Sequence, residues 1–222
     1  MDAITLLKND HKTVEALFKK FEKLGDGGEK QKKQIVSQII KELSIHAAIE
    51  EQVFYPAVRK AMKQVEDDVL EALEEHHIVK WTLSELDGLS PKEERFDAKV
   101  TVLMESVRHH VKEEEGELFP KVTKKIDKRG LEALGKAMET AKKVVPSRPH
   151  PRSPDTPPGN VIAGLGASML DKAKDLVQGV AKRGLSGRGK NGAAKKSGAA
   201  ARTTRKPASA RSRTTNGASA RA

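Results

Sequence analysis

Two segments of the 222-residue chain carry the same metal-binding residue types at the same spacing. His46-Ala-Ala-Ile-Glu50-Glu51 and His110-Val-Lys-Glu-Glu114-Glu115 each set an imidazole and a carboxylate four residues apart, and Pro56 and Pro120 follow at matching places. On a helix, positions i and i+4 share one face a single turn apart, so each pair could grip an ion. Asp10-His11-x-x-Val14 is likewise repeated by Glu75-His76-x-x-Val79. The offsets are 64 residues for the first repeat and 65 for the second, so the sequence reads as a duplicated helical hairpin. A pseudo-twofold axis through it would place one ligand set around each of two metals. The candidate ligands are His11, His46, Glu50, His76, His110 and Glu114. Imidazole and carboxylate together suit iron, and carboxylates can bridge two ions. One tetrahedral zinc would use only four ligands. The expectation is two iron ions per chain.

Four helices must hold these residues. Asp2 can cap the first, which the glycines around Asp26 end. The second is expected over 29–62 and the third over 66–86, closed by Asp87-Gly88. The fourth opens at Ser90-Pro91, with Ser90 and Glu93 spaced as a capping box and Pro91 at the first helical position. Steps of three and four give buried stripes on each. They are Ile4, Leu7, His11, Val14, Phe18, Phe21; Val36, Ile39, Leu43, His46, Glu50, Val53; Val69, Leu73, His76, Lys80, Leu83; and Val100, Leu103, Val107, His110, Glu114. Short loops make sequential helices antiparallel neighbours. No stretch alternates with the period of a strand. The fold class is therefore all-α, an antiparallel up-down-up-down four-helix bundle over 1–126. A short accessory helix is expected within 127–145.

Buried charge without a partner costs several kcal/mol, on the order of the stability of a whole small domain. Four histidines and two glutamates on buried stripes therefore need a common reason, and a metal centre supplies one. Their neighbours His77, His109, Glu51 and Glu115 lie one residue off the stripe and read as groups supporting the ligands or facing solvent. Tyr55 reads as a packing residue and Trp81 as a core or helix-contact residue. Lys80 stands one turn from His76. Its ammonium could reach a ligand at the centre, or its stem could pack while the charge reaches solvent.

The remainder of the chain has another character. Residues 1–145 hold 26 basic and 28 acidic side chains, a net −2, whereas residues 146–222 hold 16 and 3, a net +13. Residues 146–160 read as a Pro-rich linker and 161–181 as a weak amphipathic helix. Residues 182–222 read as a disordered basic tail rich in Lys, Arg and Ala, resembling those of bacterial histone-like proteins. No aromatic residue follows Phe119, so contact of this tail with DNA would be electrostatic and sequence-blind, through phosphates. Cysteine is absent, which excludes disulfides, iron–sulfur clusters and thiolate zinc sites. No secretory leader is read at the start, and no run has the roughly 18 apolar residues of a spanning helix. A cytoplasmic or nucleoid-associated location is expected.

The strings LKNDH (7–11), HAAIEEQVFYP (46–56), LEEHH (73–77) and HHVKEEEGELFP (109–120) resemble the hemerythrin-like, or HHE cation-binding, domains, over about residues 2–126. The resemblance implies two non-haem irons, bridged by oxo or hydroxo and by the two carboxylates, held by the six residues named above. It implies a protein that binds or reacts with dioxygen, peroxide or nitric oxide in stress response or sensing. Oxygen-carrying members place a second histidine one turn after the position matched by His76, where this chain has Lys80. They end the fourth-helix motif with an Asp five residues after its His, where Glu114 is at four. Fewer protein ligands favour reaction over reversible carriage. The alternatives are a catalase- or peroxidase-like di-iron enzyme, and an iron- or redox-responsive regulatory protein whose tail binds DNA.

Overall fold

The computed structural model describes residues 1–25, 27–149 and 151. All fall within the first of the two units into which the chain divides, Met1–Arg188. The expected weak helix over 161–181 and tail over 182–222 lie outside the described residues, as does most of the linker.

Helix α1 spans Ala3–Glu22, and Asp2 caps it by accepting a hydrogen bond from the Thr5 amide at 2.9 Å. Gly28, at φ 75, makes the left-handed turn into α2, Glu29–Ile49. A π-helical turn, Glu50–Phe54, joins α2 to α3, Tyr55–Ala61. A 3₁₀ turn, Lys63–Val65, leads into α4, Glu66–Leu86. Helix α5, Phe96–Glu113, continues through a second π-helical turn, Glu114–Leu118, into α6, Phe119–Lys125. Helix α7, Lys128–Ala141, is the accessory helix. The described residues are helices and turns with no strand, and they form the expected bundle, with α1 against α2 and α4 against α5.

The fourth helix starts later than its capping signal. Ser90 accepts from the Lys92 amide, and residues after it form successive tight turns, Glu93 N–H to Ser90 O and Phe96 N–H to Glu93 O. Regular helix begins only at Phe96, whose ring is buried against Phe21. Burial of this aromatic, rather than the local cap, fixes where the rod begins.

The two π turns fall at matching points of the repeat, each opening at a candidate ligand, Glu50 or Glu114. Each precedes an internal proline. Pro56 and Pro120 have no N–H to return to the carbonyl four residues back, and their rings would clash with it. The wider turn, closed by Tyr55 N–H to Glu50 O and by Phe119 N–H to Glu114 O, relieves both problems. It also advances the stripe by a residue. Val53, expected in the core, is only half-buried, whereas Phe54 and Tyr55 are fully buried.

Apolar residues gather in two clusters. One, around Leu7, Ile49, Phe54, Val58, Leu73 and Phe119, includes Leu131, Leu134 and Met138 of α7. The other holds Val14, Phe18, Ile39, Leu43, Leu83 and Leu103. In each rod the histidine lies between the two: His11 follows Leu7 and precedes Val14, and His76 follows Leu73 and precedes Val79. A polar layer thus divides the core at mid-height. Helix α7 docks closely on the N-terminus of α1, since a Cβ at Gly135 would overlap the backbone of Met1 and Asp2. Trp81, expected in the core or a helix contact, is 48% exposed on the outer face of α4.

Candidate metal centre

The six expected ligands converge in the polar layer. His11 Nε2 lies 3.2 Å from His46 Nε2, and His76 Nε2 lies 3.2 Å from His110 Nε2. Between the two imidazole pairs stand the carboxylates. Glu50 Oε2 is 3.1 Å from His46 Nε2 and 3.3 Å from His76 Nε2. Glu114 Oε2 is 3.3 Å from His11 Nε2 and 3.5 Å from His110 Nε2. Each carboxylate therefore touches one imidazole of each pair, as a bridging group must. The atoms fall into two groups able to hold a cation: His11, His46, Glu50 and Glu114, and Glu50, His76 and His110.

The outer nitrogens of the imidazoles face carboxylates. Glu115 Oε1 is 2.8 Å from His11 Nδ1, Glu51 Oε1 is 3.1 Å from His76 Nδ1, and Glu75 Oε2 is 2.7 Å from His110 Nδ1. Asp10 Oδ2 faces His46 Nδ1 at 3.5 Å. The pattern obeys the pseudo-twofold. The acid before each early histidine (Asp10, Glu75) serves the later one, and the acid after each glutamate (Glu51, Glu115) serves the histidine of the opposite hairpin. A carboxylate at Nδ1 fixes the tautomer with Nε2 bare, which is how metal-ligating histidines are oriented.

Glu51 and Glu115 are thus placed by the structure as partners of the imidazoles. Glu51 is buried, whereas Glu115, at the matching place in the other π turn, is half-buried. His77 and His109 lie on the exposed side of their helices. Sequence reasoning missed Tyr55. Its hydroxyl donates to Glu114 Oε1 at 3.0 Å and lies 3.5 Å from His76 Nε2. The signal was the internal Pro56, which forces the π turn that brings Tyr55 onto the stripe. At the matching position of the other hairpin, Phe119 stacks on His11 with an interplanar angle of 5°. The centre is therefore symmetric in its imidazoles and asymmetric in its hydroxyl.

Lys80 keeps its charge inside the bundle. It is buried, and its Nζ donates to Glu51 Oε1 at 2.8 Å. It balances the acid that orients His76.

Electrostatics test whether this layer suits a cation. Glu50 Oε1 and Oε2 and Glu114 Oε2 are buried and have no hydrogen-bond partner. Burial, and then the charge of Glu114, push the Glu50 carboxyl well above its ordinary range. Burial would raise Glu114 too, but the charges of His110, His11 and His46 outweigh it and hold it low, at about 2. Burial, and then the charge of His11, drive His46 down to about 4 against the pull of Asp10 and Glu114. His76 is lowered by burial and then by His110. Burial would also lower His110, but Glu114 and Glu75 outweigh it and leave it raised. Lone buried oxygens facing bare imidazole nitrogens are costly as protein–protein contacts and fit a divalent cation, which would pair with all of them.

A pH dependence of the metal-free chain follows. A histidine depressed in the folded state binds its proton first in the unfolded state, so its stabilising effect is present above about pH 6.5 and lost as pH falls through its folded value. His46 and His76 act in this sense, and the raised His110 and Glu50 oppose them. Chelated protein should therefore lose stability as pH falls from about 6.5 towards 4, by up to about 3 kcal/mol from His46 alone. Urea unfolding at pH 7 and pH 5 measures it. Equal midpoints would remove the depressed histidines from the account.

An antiparallel helical bundle with six histidines and glutamates meeting at mid-height defines a cation-binding class of bundle. The chain belongs to the Hemerythrin HHE cation binding domain family, whose pattern it matches over residues 2–122. It is similar to an uncharacterized hemerythrin-like protein of Schizosaccharomyces pombe, 28% identical over 170 residues, which cover 76% of this chain and 83% of that one. It is also 29% identical over 148 residues to a DNA nickase of Nostoc, covering 67% of this chain and 41% of the nickase. Among solved structures it resembles a hemerythrin HHE cation binding domain-containing protein from Mycobacterium kansasii. That match has a TM-score of 0.55 and 26% identity, and it covers 64% of this chain and 86% of that one. No helix among the described residues is long and apolar enough to cross a membrane.

Proposed function

We propose that the chain is a di-iron protein that binds or reacts with dioxygen, peroxide or nitric oxide. The observation that carries this reading is the set of buried carboxylate oxygens without a hydrogen-bond partner, both of Glu50 and Oε2 of Glu114, standing between two imidazole pairs. Three of the four Nδ1 atoms are hydrogen-bonded to carboxylates, and that of His46 faces Asp10 at 3.5 Å. In this reading His11 and His46 serve one ion, His76 and His110 the other, and Glu50 and Glu114 are shared. Bound iron supplies the electrons and the Lewis acidity that oxygen species require. The chain's own residues prepare the place. Asp10, Glu51, Glu75 and Glu115 orient the imidazoles, and the apolar clusters above and below exclude bulk water. The Tyr55 hydroxyl, its proton held firmly by burial and by Glu114 and Glu50, offers a hydrogen-bond donor on the His76 side only. Four imidazoles rather than five, with Lys80 engaged elsewhere, favour reaction over reversible carriage.

Protein purified aerobically from iron-replete cells tests the reading through metal analysis and absorption spectroscopy. Two irons per chain with near-ultraviolet oxo-to-iron bands support it, and one ion per chain or bound zinc overturns it. Peroxide decay then separates the alternatives: many turnovers per centre identify an enzyme, and a single turnover a sensor or scavenger.

The charge asymmetry favours a second role for the same chain, a tether to DNA in the cytoplasm or nucleoid. Residues 146–222 carry a net +13 against −2 for the rest, and one relative, of which this chain matches less than half, is described as a DNA nickase. Each phosphate contact releases counterions, so binding should be sequence-blind, micromolar or weaker at physiological salt, and steeply salt-dependent. Gel shifts of the full chain and of a chain ending at Val145 check this at two salt concentrations. Equal shifts from both, or none from either at low salt, refute the tether.

A further inference from the structure

The pseudo-twofold that relates the hairpins should give the centre two equivalent approaches, one beside α1 and α2 and one beside α4 and α5. The structure treats them oppositely. Beside α4 and α5 a cleft of about 110 Å³ reaches His110 and Glu114, and Asp68, Glu71, Glu75, Glu113 and Glu117 line it. Applying the repeat offsets, the counterparts of Asp68, Glu71, His109, Glu113 and Glu117 are Ala3, Leu6, Ile45, Ile49 and Val53. Every one is apolar, and all pack in the cluster that α7 covers with Leu131, Leu134 and Met138. The acid retained on that side is Asp10, and Lys142 from just beyond α7 neutralises it at 2.5 Å.

One approach is thus plugged by a helix over hydrophobic side chains, and the other, among the described residues, is open and lined by carboxylates. Lys121 answers part of that charge, 2.8 Å from Asp68 and 4.0 Å from Glu117. The acids still outnumber it. At the margin of the cleft a further group of ligand atoms meets: His109 Nε2 lies 3.2 Å from Glu113 Oε1 and 3.6 Å from Glu75 Oε1. Glu75 links this outer group to the centre, since its other oxygen holds His110 Nδ1 at 2.7 Å. At the inner end the buried Glu114 Oε2 has no hydrogen-bond partner.

We infer that the open cleft is the path by which a divalent cation reaches the centre, with Glu75, His109 and Glu113 as its first docking point. The inference rests on the metal-centre reading above and adds a route and an outer site to it. A like-charged, low-dielectric cleft raises the local concentration of its counterion, and with it the association rate, by roughly 10- to 1,000-fold. The same field fades as salt screens it.

Loading of the full-length chain, stripped of metal by chelation, with cobalt(II) chloride in stopped flow tests the route. The d–d bands report arrival at the imidazoles, and helicity confirms the fold of each variant. The triple variant Glu71→Gln, Glu113→Gln, Glu117→Gln alters no inner ligand. It is expected to reach the wild-type cobalt content about tenfold more slowly at low salt. The wild-type rate should fall with added sodium chloride while the variant's hardly changes. Should the triple variant fold poorly, Glu113→Gln alone is expected to show the same slowing in smaller degree. Loading by the variants at the wild-type rate and with the wild-type salt dependence overturns the route but leaves the centre standing. A wild-type chain that takes up no cobalt overturns the centre, and the route with it.

Discussion

Glu114→Ala should empty the centre, so that the two irons proposed per chain fall to none, and Glu50→Ala should do the same. Both carboxylates touch imidazoles of each pair, so losing either removes a shared group rather than one ligand of one ion. It also leaves the imidazoles facing one another at 3.2 Å with less negative charge to hold two cations together. The neighbouring acids should grade the effect. Glu51→Ala removes the group that orients His76, and such partners typically contribute 10- to 100-fold in metal affinity. The sequence alone left Glu51 as a group supporting a ligand or facing solvent, and its burial beside His76 raises the expected loss. His76→Ala should bleach the oxo-to-iron bands, and His77→Ala, on the exposed side of α4, should leave them. Elemental analysis after desalting, with the absorption spectrum, measures all five. A Glu114→Ala protein that keeps two irons would falsify the bridging assignment.

Lys80→Met should destabilise the chain by about 3–5 kcal/mol, the usual result of removing one partner from a buried ion pair. Both groups are buried, Lys80 at 7% exposure and Glu51 at 5%, so solvent does little to screen the loss. Methionine fills similar volume, so the change isolates the charge. The stranded Glu51 carboxylate would still face His76 Nδ1, but that imidazole is itself pushed towards its neutral form by burial and by His110. Adding Glu51→Gln should recover much of the stability, because the uncompensated charge is then gone. Urea midpoints of the single and double variants give the coupling directly. A single variant within about 0.5 kcal/mol of wild type would show that Lys80 does not balance Glu51, and that its stem alone matters there.

The sequence by itself determined a good deal. Six ligand-type residues on four buried stripes, with the stripes themselves repeated, were sufficient to name the bundle, its antiparallel order and the residues that meet at mid-height. That information is local and periodic: a turn of helix is 3.6 residues whatever surrounds it, so a histidine four residues before a glutamate shares its face in any fold. The start of α3 escaped this logic. The periodicity assumed an unbroken α-helix, and the π turn before Pro56 added one residue to it. That single residue put Val53 outside and brought Tyr55 into the layer. The start of α5 escaped it as well, because burial of Phe96 outweighed a capping pattern five residues earlier.

Only the tertiary structure decided what the charged neighbours do. Glu75, Glu115 and Asp10 stand out in the sequence only as members of the repeat, and their value lies in reaching across to an imidazole on another helix. Lys80 was legible as a departure at a ligand position, yet its partner, Glu51, is 29 residues away along the chain. The covering of one approach by α7 and the acidity of the other likewise became visible only once the two hairpins stood side by side. A helix's own face is written in its local spacing. Which face of a second helix it meets, and at what height, is set by how the whole bundle packs.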